Sequence, residues 1–166
     1  MWRCCLALVF LAPFWTSAAS ADWATVHLKD EFDGKDRYLA VTSTTEPWLG
    51  FVCEVDTGRF KLFYKTKDRP SREMRDRLPI QFMKIALIVD DDPVRTYPGS
   101  LELSDKRIAS QSYDRSVIDL ALIISRATRR VLIANDLIVG KYHQEEFSVD
   151  GAHRAISMLL KRCAKL

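Results

Sequence analysis

The stretch LGFVCEVDTGRFKLF, residues 49 to 63, constrains the fold more than any other in this chain. Two alternating runs flank Asp56, Thr57 and Gly58, a short loop closed by glycine, which is the signal of a β-hairpin. Successive side chains of a strand point to opposite faces. Leu49, Phe51, Cys53 and Val55 therefore share one face of the first strand, and Trp48, Gly50, Val52 and Glu54 share the other. In the second strand Phe60, Leu62 and Tyr64 form one face, and Arg59, Lys61, Phe63 and Lys65 the opposite one. Cys53 points where Phe51 points, toward a core.

What that cysteine does depends on compartment. The chain opens MWRCCLALVFLAPFWTSAASADW. Arg3 supplies a positive start, Cys4 to Trp15 an apolar run, and Ala19-Ser20-Ala21 the small residues of a cleavage site, so residues 1–21 read as a secretory signal peptide. The run is too short for a membrane anchor, about 12 residues against the ~20 a spanning helix needs. Cleavage after Ala21 leaves residues 22–166, a length suited to one domain. It also takes the formal charge from +3 to +2, a near-neutral balance that argues against nucleic acid as a partner. Of four cysteines, Cys53 and Cys163 remain. In an oxidising compartment such a pair reads first as one disulfide. The alternative, a metal pair, lacks a Cys-x-x-Cys spacing or a paired histidine.

Strands are expected over 22–28, 37–45, 48–55 and 59–66. Residues 65–79 form a charged connection broken by Pro70 and Pro79. Residues 81–93 hold a continuous apolar run, Ile85 to Val89, that predicts a central strand covered on both faces. Asp90 to Pro93 reads as a turn, 94–97 as a short returning strand, and Pro98-Gly99 as the start of a further loop. SVIDLALIISRA, 116–127, reads as a buried helix with Ser116 a candidate N-cap, a strand being the alternative. Residues 129–136 and 141–149 are strand candidates. A helix entered at Asp150 carries Ala152, Ile156, Leu159, Leu160 and Cys163 on its apolar stripe.

The candidate chemistry is sparse. His27, His143 and His153 lie in no catalytic motif. Asp30, Glu31, Asp33 and Asp36 crowd a turn, but the register of a calcium loop is missing, and Asp90-Asp91-Asp92 reads as a turn before it reads as a cation site. No catalytic residue, metal or cofactor is implied. The outward hairpin face is the candidate binding surface: Arg59, Lys61, Phe63 and Lys65 set an aromatic among cations, which suits an anionic envelope component or an acidic protein surface.

The order of landmarks resembles a family. Trp23 lies near the start of the mature chain, LGFVCEV precedes RFKLFYK, IALIVDDDP ends in a turn aspartate, and VIDLALIISRATRRVLI leads to EEFSVDGAHRAISMLLKRC. This is similar to the type VI secretion-associated VasI-like proteins and related envelope proteins of Gram-negative bacteria. The resemblance implies a β-rich periplasmic domain tied by the Cys53 and Cys163 pair, with no catalytic residues to carry over.

The expectation is thus an α+β domain, a mostly antiparallel sheet or sandwich with a buried helix, a C-terminal helix and one disulfide. It is a periplasmic or secreted, non-catalytic protein that does not span the membrane and binds a protein or envelope component. The alternatives are an anionic-lipid binder, or a small hydrolase or inhibitor-like protein whose site would have to be assembled from His143, Glu145 and Asp90.

Overall fold

The computed structural model describes residues 23–29, 35–42, 46–113, 115–137 and 140–163. The expected signal peptide and its cleavage point, and the acidic positions Asp30, Glu31 and Asp33, lie outside these residues.

The elements run β1 (Ala24–Lys29), β2 (Asp36–Val41), β3 (Trp48–Glu54), β4 (Arg59–Lys65), α1 (Arg72–Arg77), β5 (Ile80–Val89), β6 (Arg95–Ser104), β7 (Arg107–Ser112), α2 (Ser116–Arg126), β8 (Arg130–Leu137), β9 (Gly140–Ser148) and α3 (Ala152–Cys163). The strands form one antiparallel sheet in the order β1-β2-β3-β4-β7-β6-β5-β8-β9. The first four strands are simple neighbours. The chain then crosses through α1 to β5 and returns by β6 and β7 to pair with β4. From β7, α2 carries it to β8, on the far side of β5.

Alternation places the core where the hairpin pattern puts it. Leu49, Phe51, Cys53, Phe60, Leu62 and Tyr64 join Ile85, Leu87, Val131 and Ile133 in one buried cluster with the inner faces of α2 and α3. In a flat sheet β4 and β9 would stand about 24 Å apart, at ~4.8 Å per strand step. Instead the Tyr64 hydroxyl donates to the His143 carbonyl at 2.5 Å, and its ring meets Phe147 edge-on with centroids 6.2 Å apart. The sheet therefore curls over the helices. Its edges meet just ahead of β1, where the Trp23 N–H donates to the Asp150 carbonyl at 2.8 Å and its indole to the Ser148 carbonyl at 2.9 Å. Gly151 makes this approach possible. Its φ is +76°, and a Cβ there would lie 2.9 Å from the Trp23 carbonyl oxygen.

The disulfide joins Cys53 on β3 to Cys163 at the end of α3, with Cα atoms 6.0 Å apart and 110 residues between them. That Cα spacing is ordinary for a disulfide. No helix among the described residues is long and apolar enough to cross a membrane.

Four local expectations are corrected. Pro98-Gly99 does not open a loop, because β6 runs straight through both. At Pro98 the strand is flanked by β5 alone, its ladder to β7 starting at Ser100, so a residue with no N–H fits. Gly99 lies against neighbouring backbone, where a Cβ would sit 2.8 Å from the Gln111 carbonyl oxygen. The connection over 65–79 holds a short helix, α1, capped by the Ser71 hydroxyl, which accepts from the Met74 N–H at 3.1 Å. Ser116 is not the cap of α2; the capping position is Arg115, and no side chain bonds there. β5 is central, between β6 and β8, but only its inner face is fully covered, since Lys84 is exposed and Ile88 half-buried.

Candidate functional site

The four hairpin candidates share the outer face of β4, as alternation requires, but their surroundings differ. Phe63 stacks on Trp48 with ring centroids 4.7 Å apart and is buried in a small second cluster with Val52 and Ala109. The Lys61 ammonium lies 3.3 Å from the Tyr113 hydroxyl, 3.5 Å from Gln111 Oε1 and 3.6 Å from Glu54 Oε1, and stands 5.3 Å from the Tyr113 ring centre. Lys65 is 7% exposed. Its Nζ sits 3.0 Å from Glu46 Oε1 and 2.8 Å from Asp105 Oδ2, and Glu46 also holds Arg107 at 2.6 Å. Burial opposes the Lys65 charge, but the hydrogen bonds to Asp105 and Glu46 outweigh it and hold the ammonium above its ordinary pKa range. Lys61 is thus met by Glu54 across its own hairpin, and Lys65 by Glu46 and by Asp105 from the β6–β7 turn.

Arg59 is different. It is exposed beside the hairpin turn and forms no ion pair among the described residues. It lines a cleft of about 360 Å³ with Gly58, Phe60, Tyr113, Arg115 and Ile118. Strand register explains the assembly. The β4–β7 ladder ends at Leu62 and Ser112, so Phe60 and Arg59 project past the end of β7, where the chain turns through Tyr113 and Arg115 into α2. Phe60 is buried and forms the floor, while Tyr113 and Ile118 are exposed on the walls. Arg115, like Arg59, is exposed and has no carboxylate partner among the described residues. The cleft therefore combines an apolar floor with two exposed arginines.

The alternative site does not assemble. His143 Nδ1 bonds Asp68 Oδ2 at 2.7 Å, and Glu145 bonds the Lys67 ammonium at 2.9 Å, so both side chains tie β9 to the segment after β4. Between them the Tyr64 hydroxyl stays protonated, its pKa pushed up first by burial and then by the charges of Glu145 and Asp68. Asp90 bonds the Arg130 carbonyl through its own N–H, and Arg130 pairs with Ser148. That places Asp90 five residues along β9 from His143, roughly 16 Å at ~3.3 Å per residue. The Asp90 carboxylate accepts from the backbone N–H groups of Thr128, Arg129 and Arg130 at 3.0, 2.9 and 3.1 Å. These bonds, that of Thr128 foremost, hold its pKa at about 2. Asp91 pairs with Arg129 and Asp92 with Arg95. The acidic turn is a fastening between the ends of β5 and β8. Among the described residues no group of three or more His, Cys, Asp or Glu side chains could hold a metal ion.

The sequence pattern pointed to Arg59 and missed Tyr113, Arg115 and Ile118. The signal available was Ile118 and Leu122, which fall one turn apart on the side of α2 away from Val117, Leu120, Ala121 and Ile124, and which the structure leaves exposed. Compared with protein-family models, with curated proteins and with solved structures, the chain matches none.

Proposed function

We propose that this chain acts outside the cytoplasm as a non-catalytic binding or accessory protein of the bacterial envelope, meeting its partner at the turn end of the β3–β4 hairpin. The observation that carries this reading is the pair of open arginines, Arg59 and Arg115, set over the apolar lining of one cleft. A concave, mostly apolar site with a few convergent polar groups is a binding geometry. Acid, base and nucleophile in mutual reach, which hydrolysis needs, are not gathered among the described residues that line it. The Cys53–Cys163 bond supports the compartment, since structural disulfides persist where the surroundings are oxidising. The resemblance to VasI-like proteins supports a secretion-associated role.

Covalent cross-linking in intact cells, followed by mass spectrometry of what is captured with the chain, tests this reading. A reproducible protein partner that disappears in the double variant Arg59→Glu, Arg115→Glu, at unchanged protein level, is expected. Capture of the same partner by the double variant defeats the placement. A chain retained in the cytoplasm defeats the compartment.

A further inference from the structure

We infer that the cleft receives an acidic segment of a partner protein in which a carboxylate lies next to an apolar side chain, with the carboxylate between Arg59 and Arg115 and the apolar group on Phe60, Tyr113 and Ile118. This rests on the binding reading above and names its chemistry.

Three observations lead to a peptide. The cleft, about 360 Å³, is at the small end of ligand sites, room for a side chain or two and not for a large cofactor. Its two cations are guanidinium groups, whose planar forks match a carboxylate in a two-bonded geometry. The apolar lining also continues beyond the cleft. Leu122 is exposed one turn along α2 from Ile118, about 6 Å further at 1.5 Å per residue. An inorganic anion leaves that strip unused, whereas an extended segment covers it. Charge separates the peptide from a lipid surface. Anionic membranes are held by clusters of roughly four to eight free basic residues. Here the neighbouring Lys61 and Lys65 are already engaged by Glu54, Glu46 and Asp105.

The test uses the full chain, exported with its own leader and purified with the disulfide intact. Fluorescence anisotropy follows a dye-labelled peptide in which glutamates alternate with leucine and phenylalanine. Saturable binding is expected, weakened about tenfold or more when the peptide glutamates become glutamines or its apolar residues become serines. A loss of the same size is expected in Arg59→Glu, Arg115→Glu, with an unchanged thermal midpoint showing that the fold survives. Arg59→Lys, Arg115→Lys should retain part of the affinity, because charge is kept and the fork is lost. Equal affinity for the glutamine peptide, equal affinity in the double Glu variant, or no binding at all overturns the inference. Full competition by inorganic phosphate, or preference for anionic phospholipid vesicles over the peptide, overturns it as well. If peptide binding fails while the cross-linked partner is still lost in the double variant, the binding reading stands and only its chemistry falls.

Discussion

Lys65 and Arg59 lie on the same face of the same strand, six residues apart, yet their charges are used in opposite ways. At the base of the hairpin, Lys65 is nearly buried between Glu46 and Asp105, with Arg107 on the far side of Glu46. At the turn end, Arg59 and Arg115 are exposed, line one cleft and have no carboxylate partner among the described residues. The first arrangement holds strands together. The second leaves electrostatic potential available to something else. A run of basic residues in a sequence is therefore no measure of a binding surface until the fold shows which charges are already met.

The largest test of this contrast cuts the disulfide, which reaches the turn end alone. Replacing Cys53 and Cys163 by serine is expected to cost about 4–5 kcal/mol in the loop-entropy account for a loop of this length, read as a lower denaturation midpoint. Hydrogen exchange then divides two cases. Equal acceleration in β4 residues at both ends marks one cooperative unit. Acceleration confined to the turn end shows that the base stands on its own charges. A next smaller effect is expected far from both ends. Gly151→Ala places a Cβ against the Trp23 carbonyl at a left-handed backbone position, and should cost about 1–3 kcal/mol while leaving cleft binding unchanged.

The crossed pair follows. Lys65→Ala should destabilise by about 1–2 kcal/mol, since it removes charge-assisted hydrogen bonds from a buried site, and should leave peptide affinity as it was. Arg59→Ala should change stability by less than about 0.5 kcal/mol and weaken the peptide. A result with the two roles exchanged contradicts this division of labour between the two cations.

The smallest effect is in acid. Glu46 and Asp105 are held below the ordinary carboxylate range, first by hydrogen bonds from Lys65. A group whose pKa is lowered by folding stabilises above its unfolded value and loses that contribution as pH falls through its folded one. The base of the hairpin, and the Asp90 fastening with its pKa at about 2, should thus lose support progressively below about pH 4. Asp90→Asn should flatten the acid limb of a stability-against-pH curve.

How far the sequence could be read follows from what each feature depends on. The β3–β4 hairpin, the direction of Cys53 and the amphipathic α3 depend on short-range alternation or helical spacing, and all were legible. β7 was not, because its turn from β6 uses Asp105 and Lys106 at φ of 47° and 65°, positions where glycine or asparagine is the usual sign. β6 was cut short because Pro98 and Gly99 normally end strands, and their tolerance depends on where β7 begins. The neutralisation of Lys65 draws on Glu46, which lies two residues before its hairpin partner Trp48, and on Asp105, which reaches it only after β4 pairs with β7. The cleft needs the same pairing, so Arg115 gave no local sign of its place.

The position of the disulfide has a consequence for biogenesis. Cys53 stands directly across the hairpin from Phe60, the floor of the cleft. Its bonding partner follows 110 residues later in the chain. In the proposed extracytoplasmic reading the hairpin emerges during export long before the thiol that pins it, and the proposed binding surface is completed by an oxidation step contributed from another element. In the extracytoplasmic reading, the bond licenses the protein: a reduced chain inside the cell lacks the pinned floor, and the chain becomes competent to bind only in the compartment that oxidises it.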